Sequence, residues 1–207
     1  MTCDGVIPSP QPWARALPQA LSLVRHSRRL PPSVVVFRLR ALRRAKALGD
    51  QFSLFANLRA PALQALLDLA RHRRRVVEIG SGSGWTAVAL ALGDARCEVR
   101  SYDRGVHPYR DFYLDLVSAG VRDRLEFVTR FGQHGPERAL EVDLLFIDSS
   151  HRREETIATY RAWSGSVVPG GLVVFDDFEN PYFPGVAEAI GELGLTGERR
   201  GQLFVVS

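Results

Sequence analysis

The sequence predicts an α/β protein: a doubly wound, mostly parallel sheet of seven strands, closed by an antiparallel edge hairpin and preceded by an N-terminal α-helical cap. Three observations carry this expectation. After Arg75, short β-branched runs alternate with helical segments at the spacing of strand–helix–strand units. The runs "VDLLFID" and "GLVVFDD" are apolar on both faces, as parallel strands covered by helices must be. The tail "LTGERRGQLFVVS" offers two short strands about Gly201, which is the pattern of a hairpin.

The elements follow in order. Residues 1–12, with Pro8, Pro10 and Pro12, read as a loose arm. From Trp13 to about Leu30, apolar Leu17, Leu21 and Val24 recur at helical spacing until Pro31 and Pro32 interrupt them. "VVVFRLRALRRAKAL" resumes a helix, and "PALQALLDLARH" forms a third, with Pro61 in its first turn. Residues 1–54 are thus an arm and cap, and residues 55–207 a second unit of different build. Within it, strands are expected near 76–80, 97–103, 125–130, 142–148 and 171–176. Helices are expected near 84–93, 109–119, 136–140, 153–163 and 185–193.

Charge is unevenly spread along the 207 residues. Residues 1–75 hold 14 Lys and Arg against three Asp, whereas the remainder is acidic and the whole chain carries +4. A basic front half suits nucleic acid or an acidic lipid surface, but no nucleic-acid-binding module accompanies it, and solvated helix faces explain it as well. Nucleic acid is therefore not expected as a partner. No apolar run approaches the roughly 18 residues of a membrane span, and the N-terminus lacks the order of a signal peptide. With only Cys3 and Cys97, a reduced, cytoplasmic setting is expected.

"VVEIGSGSGWTAVAL", residues 76–90, places a glycine loop where the first strand ends. In open α/β sheets ligands bind at the carboxyl ends of the strands, so Gly80, Ser81, Gly82 and Gly84 are delivered to the ligand crevice. The spacing is G-x-G-x-G, and Trp85 stands where a dinucleotide fingerprint has its third glycine. Glu78, two residues upstream, repels a diphosphate and suits an ammonium or a hydrogen-bond donor. Asp103 ends the next strand, "CEVRSYD", where an acid accepts ribose hydroxyls; the alternative is a turn-forming Asp before Gly105. An amine-facing acid, a glycine bend and a ribose-facing acid together describe S-adenosylmethionine.

With these residues in hand, "VVEIGSGSGWTAVAL" and "VRSYD" resemble the first two motifs of the class I S-adenosylmethionine-dependent methyltransferases, a Rossmann-like group. "VRDRLEFVTRFGQ", "VDLLFIDSSH" and "GGLVVFDDF" continue the likeness toward the catechol O-methyltransferase-like enzymes, over about residues 55–207. The resemblance implies that Gly132 and Gln133 border the adenine, that the acceptor is a small molecule such as a sugar or phenol, and that the enzyme forms a homodimer.

Asp148 ends "LLFID" and Asp176 with Asp177 ends "LVVFDD". Adjacent parallel strands bring such ends within about 5 Å, so three carboxylates converge and a hard divalent cation, Mg²⁺ first, is the economical partner. The alternative is that Asp177 caps a loop and Asp148 starts a turn. The resemblance implies metal ligands at these three positions, although similar enzymes usually carry Asp-Asn where this chain has Asp-Asp. A bound cation orients a hydroxyl and lowers its pKa for attack on the methyl group. His151, where similar enzymes carry a lysine, is the candidate base, or else a bystander. His26, His72, His107 and His134 lack a companion and are expected at the surface. Phe178, Tyr182 and Phe183 are candidates to cover an acceptor pocket. Two alternatives to an O-methyltransferase stay open: an N- or C-methyltransferase without metal, and an RNA- or membrane-surface-associated protein using the Arg-rich front half.

Overall fold

The structure, a computed structural model, describes residues 13–207, with side chains from residue 20 onward. The expected arm over residues 1–12, with Cys3, lies outside the described residues, as does the Leu17 side chain.

Four helices open the described chain: α1 Trp13–His26, α2 Pro32–Leu48, α3 Gln51–Phe55 and α4 Ala60–Ala70. Pro32 sits in the first turn of α2, where its missing N–H costs nothing. The short α3 escapes a periodicity reading, but its cap is legible in structure: Asp50 Oδ1 accepts the Ser53 N–H at 3.0 Å.

The remainder alternates: β1 Arg75–Ile79, α5 Trp85–Gly93, β2 Glu98–Asp103, α6 Arg110–Leu114, α7 Ala119–Arg122, β3 Leu125–Thr129, β4 Val142–Ile147, α8 Arg153–Trp163, β5 Val167–Phe175, α9 Pro184–Glu192, β6 Glu198–Arg200 and β7 Leu203–Val206. Among the described residues these strands form one seven-stranded sheet in the order β3-β2-β1-β4-β5-β7-β6. β1 to β5 run parallel, and β7 runs antiparallel to both β5 and β6. The expected edge hairpin is present. The chain order reverses between β1 and β4, so the ligand crevice opens beyond their carboxyl ends.

The period of two along each strand sorts the core into two layers. Val76, Val99, Leu144, Phe146, Leu172 and Val174 face α5 and the cap helices, in one cluster with Phe37, Ala41, Leu63 and Leu66. Val77, Ile79, Leu145, Ile147, Val173 and Phe175 face the other way, toward Ile190 of α9 and Trp163 of α8. Because α5 lies between sheet and cap, it is apolar all round and buried from Trp85 to Ala91. Arg38 of α2 is buried in this first layer. Its guanidinium lies 5.2 Å from the Trp85 ring, donates to Leu58 O at 2.7 Å, and is lowered by burial to a pKa of about 9.

Three local expectations change. Residues 136–140 form no helix; a single 3-10 turn, Gly132–His134, precedes them. Pro136 disfavours helical geometry in the residue before it, and Gly135 adopts φ +66°. The helix expected over 109–119 is split, because Ser118 takes an extended conformation and restarts the chain as α7. β5 begins earlier than its apolar run, since Val167 pairs with Val142 ahead of a register shift. Among the described residues no helix is long and apolar enough to cross a membrane.

Candidate active site

The glycine loop leaves β1 beneath the ends of two neighbours. Gly80 N–H donates to Tyr102 O at 2.7 Å, and Asp148 N–H donates to Ile79 O at 2.9 Å. A Cβ on Gly80, whose φ is +109°, would stand 1.7 Å from Asp148 O. The first glycine is therefore required by the close approach of the turn after β1 to the Asp148 peptide that follows β4. Gly82 faces the Phe52 ring of α3, whose Cε1 would be 3.2 Å from a Cβ there. Phe52 thus seats the cap directly on the loop.

Parallel register places Ser101 of β2 beside Glu78 of β1. The two side chains hydrogen-bond, and Ser101 Oγ lies 2.6 Å from Ser81 Oγ. Glu78 is fully buried, and burial pushes its pKa up to about 8; the Ser101 hydroxyl works against this, and the Asp148 and Asp103 charges add to it. The donor expected from sequence is thus, in the first instance, a serine of the next strand. Asp103, at the tip of β2, accepts the Gly82 N–H on Oδ2 at 2.9 Å and the Gly105 N–H on Oδ1 at 3.3 Å. A carboxylate has further lone pairs, so these bonds leave it capacity to accept hydroxyls.

Arg110, which the sequence reading passed over, is buried beneath the same loop. It donates to Gly82 O at 3.0 Å, lies 4.5 Å over the Phe127 ring, and keeps Nε without a partner. His107 is likewise not a surface residue. Its Nε2 lies 3.6 Å from Asp50 Oδ1, its ring contacts Phe52, and Tyr113 O–H donates to Asp50 Oδ2 at 2.5 Å. Burial lowers its pKa. No local pattern announces these contacts, because α3 and the loop after β2 are more than 50 residues apart in the chain.

The 3-10 turn with Gly132 and Gln133 follows β3. A Cβ on Gly132 would stand 2.5 Å from Ile79 Cγ2, and Gly132 O accepts the Trp163 indole N–H at 2.6 Å. Gln133 is exposed at the same end of the sheet.

On the far side of β1 the acids crowd one another. Asp148 follows β4 and Asp176 follows β5, where the Asp176 N–H donates to Ile147 O at 3.0 Å. Asp177 adopts φ +56°, in the left-handed region that Asp tolerates better than most side chains. His151 Nε2 lies 3.0 Å from Asp177 Oδ2 and 3.7 Å from Asp148 Oδ1, an ion pair rather than a well-aligned hydrogen bond. Its ring stacks on Phe183 at 4.1 Å. Burial disfavours the imidazolium, but the two carboxylates outweigh it and push its pKa up to about 9. Burial and its carboxylate neighbours raise Asp176 well above the usual range, even though Gln202 Nε2 donates to its Oδ1 at 2.8 Å. Asp148 is also raised, by burial first and the Asp177 charge last, while His151 works against the shift. Burial works against the Asp177 charge too, but His151 and Asn180 outweigh it and hold its pKa low.

The three acids proposed as metal ligands therefore share one corner. Among the described residues, however, no three His, Cys, Asp or Glu side chains form a ready-made metal cage. The reason is visible: Asp176 turns to Gln202, while Asp148 and Asp177 turn to His151. Of the candidate pocket aromatics, Phe183 reaches His151, Phe178 packs on Phe204 at 4.6 Å, and Tyr182 projects into solvent.

Residues 77–178 match the profile of a family described as a methyltransferase domain. That segment is a methyltransferase domain. The matched segment runs from Val77 to Phe178, so it includes Glu78, the glycine loop, Asp103, Arg110, Asp148, His151, Asp176 and Asp177, but not the cap, Tyr182, Phe183 or Gln202. No curated protein matches the chain by sequence. Solved structures similar to the methyltransferase fold include a Staphylococcus aureus protein assigned as a caffeoyl-CoA O-methyltransferase, at 14% identity and TM-score 0.63, covering 92% of this chain and 99% of that one. A TDP-rhamnose 3′-O-methyltransferase of calicheamicin biosynthesis is similar at 17% identity and TM-score 0.58, over 97% and 96% of the two chains. Cofactor-bound Rv0187 from MTB is similar at 19% identity and TM-score 0.58, over 98% and 92%.

Proposed function

We propose that this methyltransferase transfers the methyl group of S-adenosylmethionine to a hydroxyl of a small molecule, such as a sugar or phenol, with a divalent cation, Mg²⁺ first, at Asp148, Asp176 and Asp177. The observation that carries this reading is the concentration of acids at the carboxyl ends of β1, β2, β4 and β5, with Glu78, Asp148 and Asp176 all pushed upward. Such a crevice favours cations and repels a nicotinamide dinucleotide's phosphates. Its donor set is all oxygen apart from His151, which suits a hard ion. The O-methyltransferases among the similar folds support the choice of a hydroxyl acceptor.

When bound, the cofactor supplies a methyl group on a cationic sulfur, and the ion supplies positive charge that makes a hydroxyl more acidic. The chain's own residues do the rest. Asp103, fixed by the Gly82 and Gly105 N–H groups, is placed to accept the ribose hydroxyls. Glu78 supplies a buried acid below the loop that a neighbouring cation would ionise. Gly132 and Gln133 border the adenine end. Phe52, against Gly82, and Phe183, on the His151 ring, flank the crevice. His151 holds a proton at Nε2 between Asp148 and Asp177 at neutral pH, so the unperturbed value near 6.5 that made it a ready base does not apply to this arrangement. The acceptor's proton would pass to His151 only after the one it holds has left for solvent, with Asp148 and Asp177 keeping the imidazole in place.

The test is calorimetry with S-adenosylhomocysteine and with MgCl₂, each alone and together. Binding of both is expected, with Asp148→Asn weakening Mg²⁺ at least tenfold and leaving S-adenosylhomocysteine within a few-fold. Activity that survives exhaustive chelation and ignores added Mg²⁺ would instead select the metal-free N- or C-methyltransferase reading. Failure to bind S-adenosylhomocysteine at all would end both.

A further inference from the structure

The outward faces of α1 and α2 take no part in the site, and their composition is unusual. On α2, Val36, Arg40, Arg43 and Ala47 are exposed at helical spacing, with Lys46 beside them. On α1 and the turn after it, Leu21, Val24, Arg25 and Arg28 are exposed in the same way. Leu21, Val24 and Val36 are 51%, 61% and 49% exposed, a level more usual for polar residues. Neither helix has an acid in its first turn, and residues 20–49 contain none. Among the described residues, Arg25, Arg28, Arg40, Arg43, Arg44 and Lys46 have no ion pair, whereas Arg71, Arg75, Arg96, Arg100, Arg153 and Arg199 each pair with an acid. Asp50, the next acid in the chain, points inward to Tyr113 and His107.

We infer that this face docks on an anionic lipid surface. Its cations have no ion pair among the described residues, and arginine is suited to bidentate contact with phosphate headgroups. The exposed aliphatics distinguish a bilayer from a nucleic acid. A helix that lies at a membrane interface sinks aliphatic side chains below the headgroups while flanking cations reach up to them. A single-stranded nucleic acid needs aromatic platforms, and among the side chains described, from residue 20 onward, the exposed large apolar residues of α1 and α2 are Leu21, Val24 and Val36, none of them aromatic. The inference is independent of what the crevice binds.

The test is flotation of the full chain with phosphatidylglycerol-containing vesicles, against pure phosphatidylcholine vesicles and against poly(U). Binding to the anionic vesicles is expected, with at least tenfold preference over phosphatidylcholine and weakening as salt rises. Arg40→Glu with Arg43→Glu should lower the partition at least tenfold, and Leu21→Ser with Val24→Ser several-fold, with melting temperatures unchanged. If the charge reversals do not fold, Arg40→Gln with Arg43→Gln serves and should lower it several-fold. Equal binding to both vesicle types would overturn the inference. So would retention on poly(U) combined with indifference of vesicle binding to the Leu21 and Val24 changes, which would assign the face to nucleic acid.

Discussion

Asp103 and Asp148 stand on either side of β1, and the two corners of the crevice they occupy are held in opposite ways. In the Asp103 corner the acids have neutral protein donors: Gly82 and Gly105 N–H for Asp103, and Ser101 for Glu78. In the Asp148 corner three carboxylates act on each other, and the only cation among them is the His151 imidazolium. Buried like charges raise one another's pKa unless an opposite charge intervenes. The difference teaches which half of the site is shaped by hydrogen bonding and which by net charge. The first is knit by neutral donors with Arg110 beneath them, and the second is arranged around positive charge.

The comparison can be broken most severely where the corners meet. Gly80→Ala introduces a Cβ 1.7 Å from Asp148 O at φ +109°. Clash and backbone strain together should cost about 4 kcal/mol or more. Gly105→Ala, with nothing within 4 Å of its added Cβ, should change stability by less than about 0.5 kcal/mol. Urea unfolding of the two variants measures both, and equal effects would remove the link between the corners.

The protonation of Glu78 sharpens the contrast. Its folded pKa is raised from 4.5 to about 8, so the stability it contributes is complete below its unfolded value and is lost as pH rises through about 8. Wild type should therefore lose about 3 kcal/mol relative to Glu78→Gln between pH 5 and 8. Melting curves across that range show the gap widening toward alkaline pH, and parallel curves would mean that Glu78 is ionised throughout. A smaller effect than that at Glu78 is expected at Asp103. Asp103→Ala should weaken S-adenosylhomocysteine at least tenfold, about 1.4 kcal/mol, by calorimetry, without altering Mg²⁺ binding.

The sheet was largely legible because each parallel strand is an apolar run that stops at a turn or an acid, as in "VDLLFID" and "LVVFDD". Asp103, Asp148, Asp176 and Asp177 were found by the same signal, since it marks the end of a strand and hence the ligand edge. What stayed hidden depends on partners distant in the chain. Arg110 and Gln202 look like ordinary surface residues until β2 and the hairpin turn bring them to Gly82 and Asp176. His107 acquires Asp50 only through the docking of α3, a helix of five residues with too few turns to show periodicity. His151 lies beside both Asp148 and Asp177, and its proton affinity depends on the two carboxylates, one of which lies 26 residues away. The glycines illustrate a further limit: the loop pattern suggests room for a ligand, whereas Gly80 is first of all room for another strand.

That close approach has a mechanical consequence. With the turn after β1 pressed on the Asp148 peptide and tied to Tyr102 by two N–H bonds, the floor of the crevice has no slack and the two corners move only together. Adaptation to acceptors of different bulk therefore falls to the walls, Phe52 on one flank and Phe183 on the other. Those two rings are where a lineage of such enzymes is free to change its clientele while its floor stays as it is.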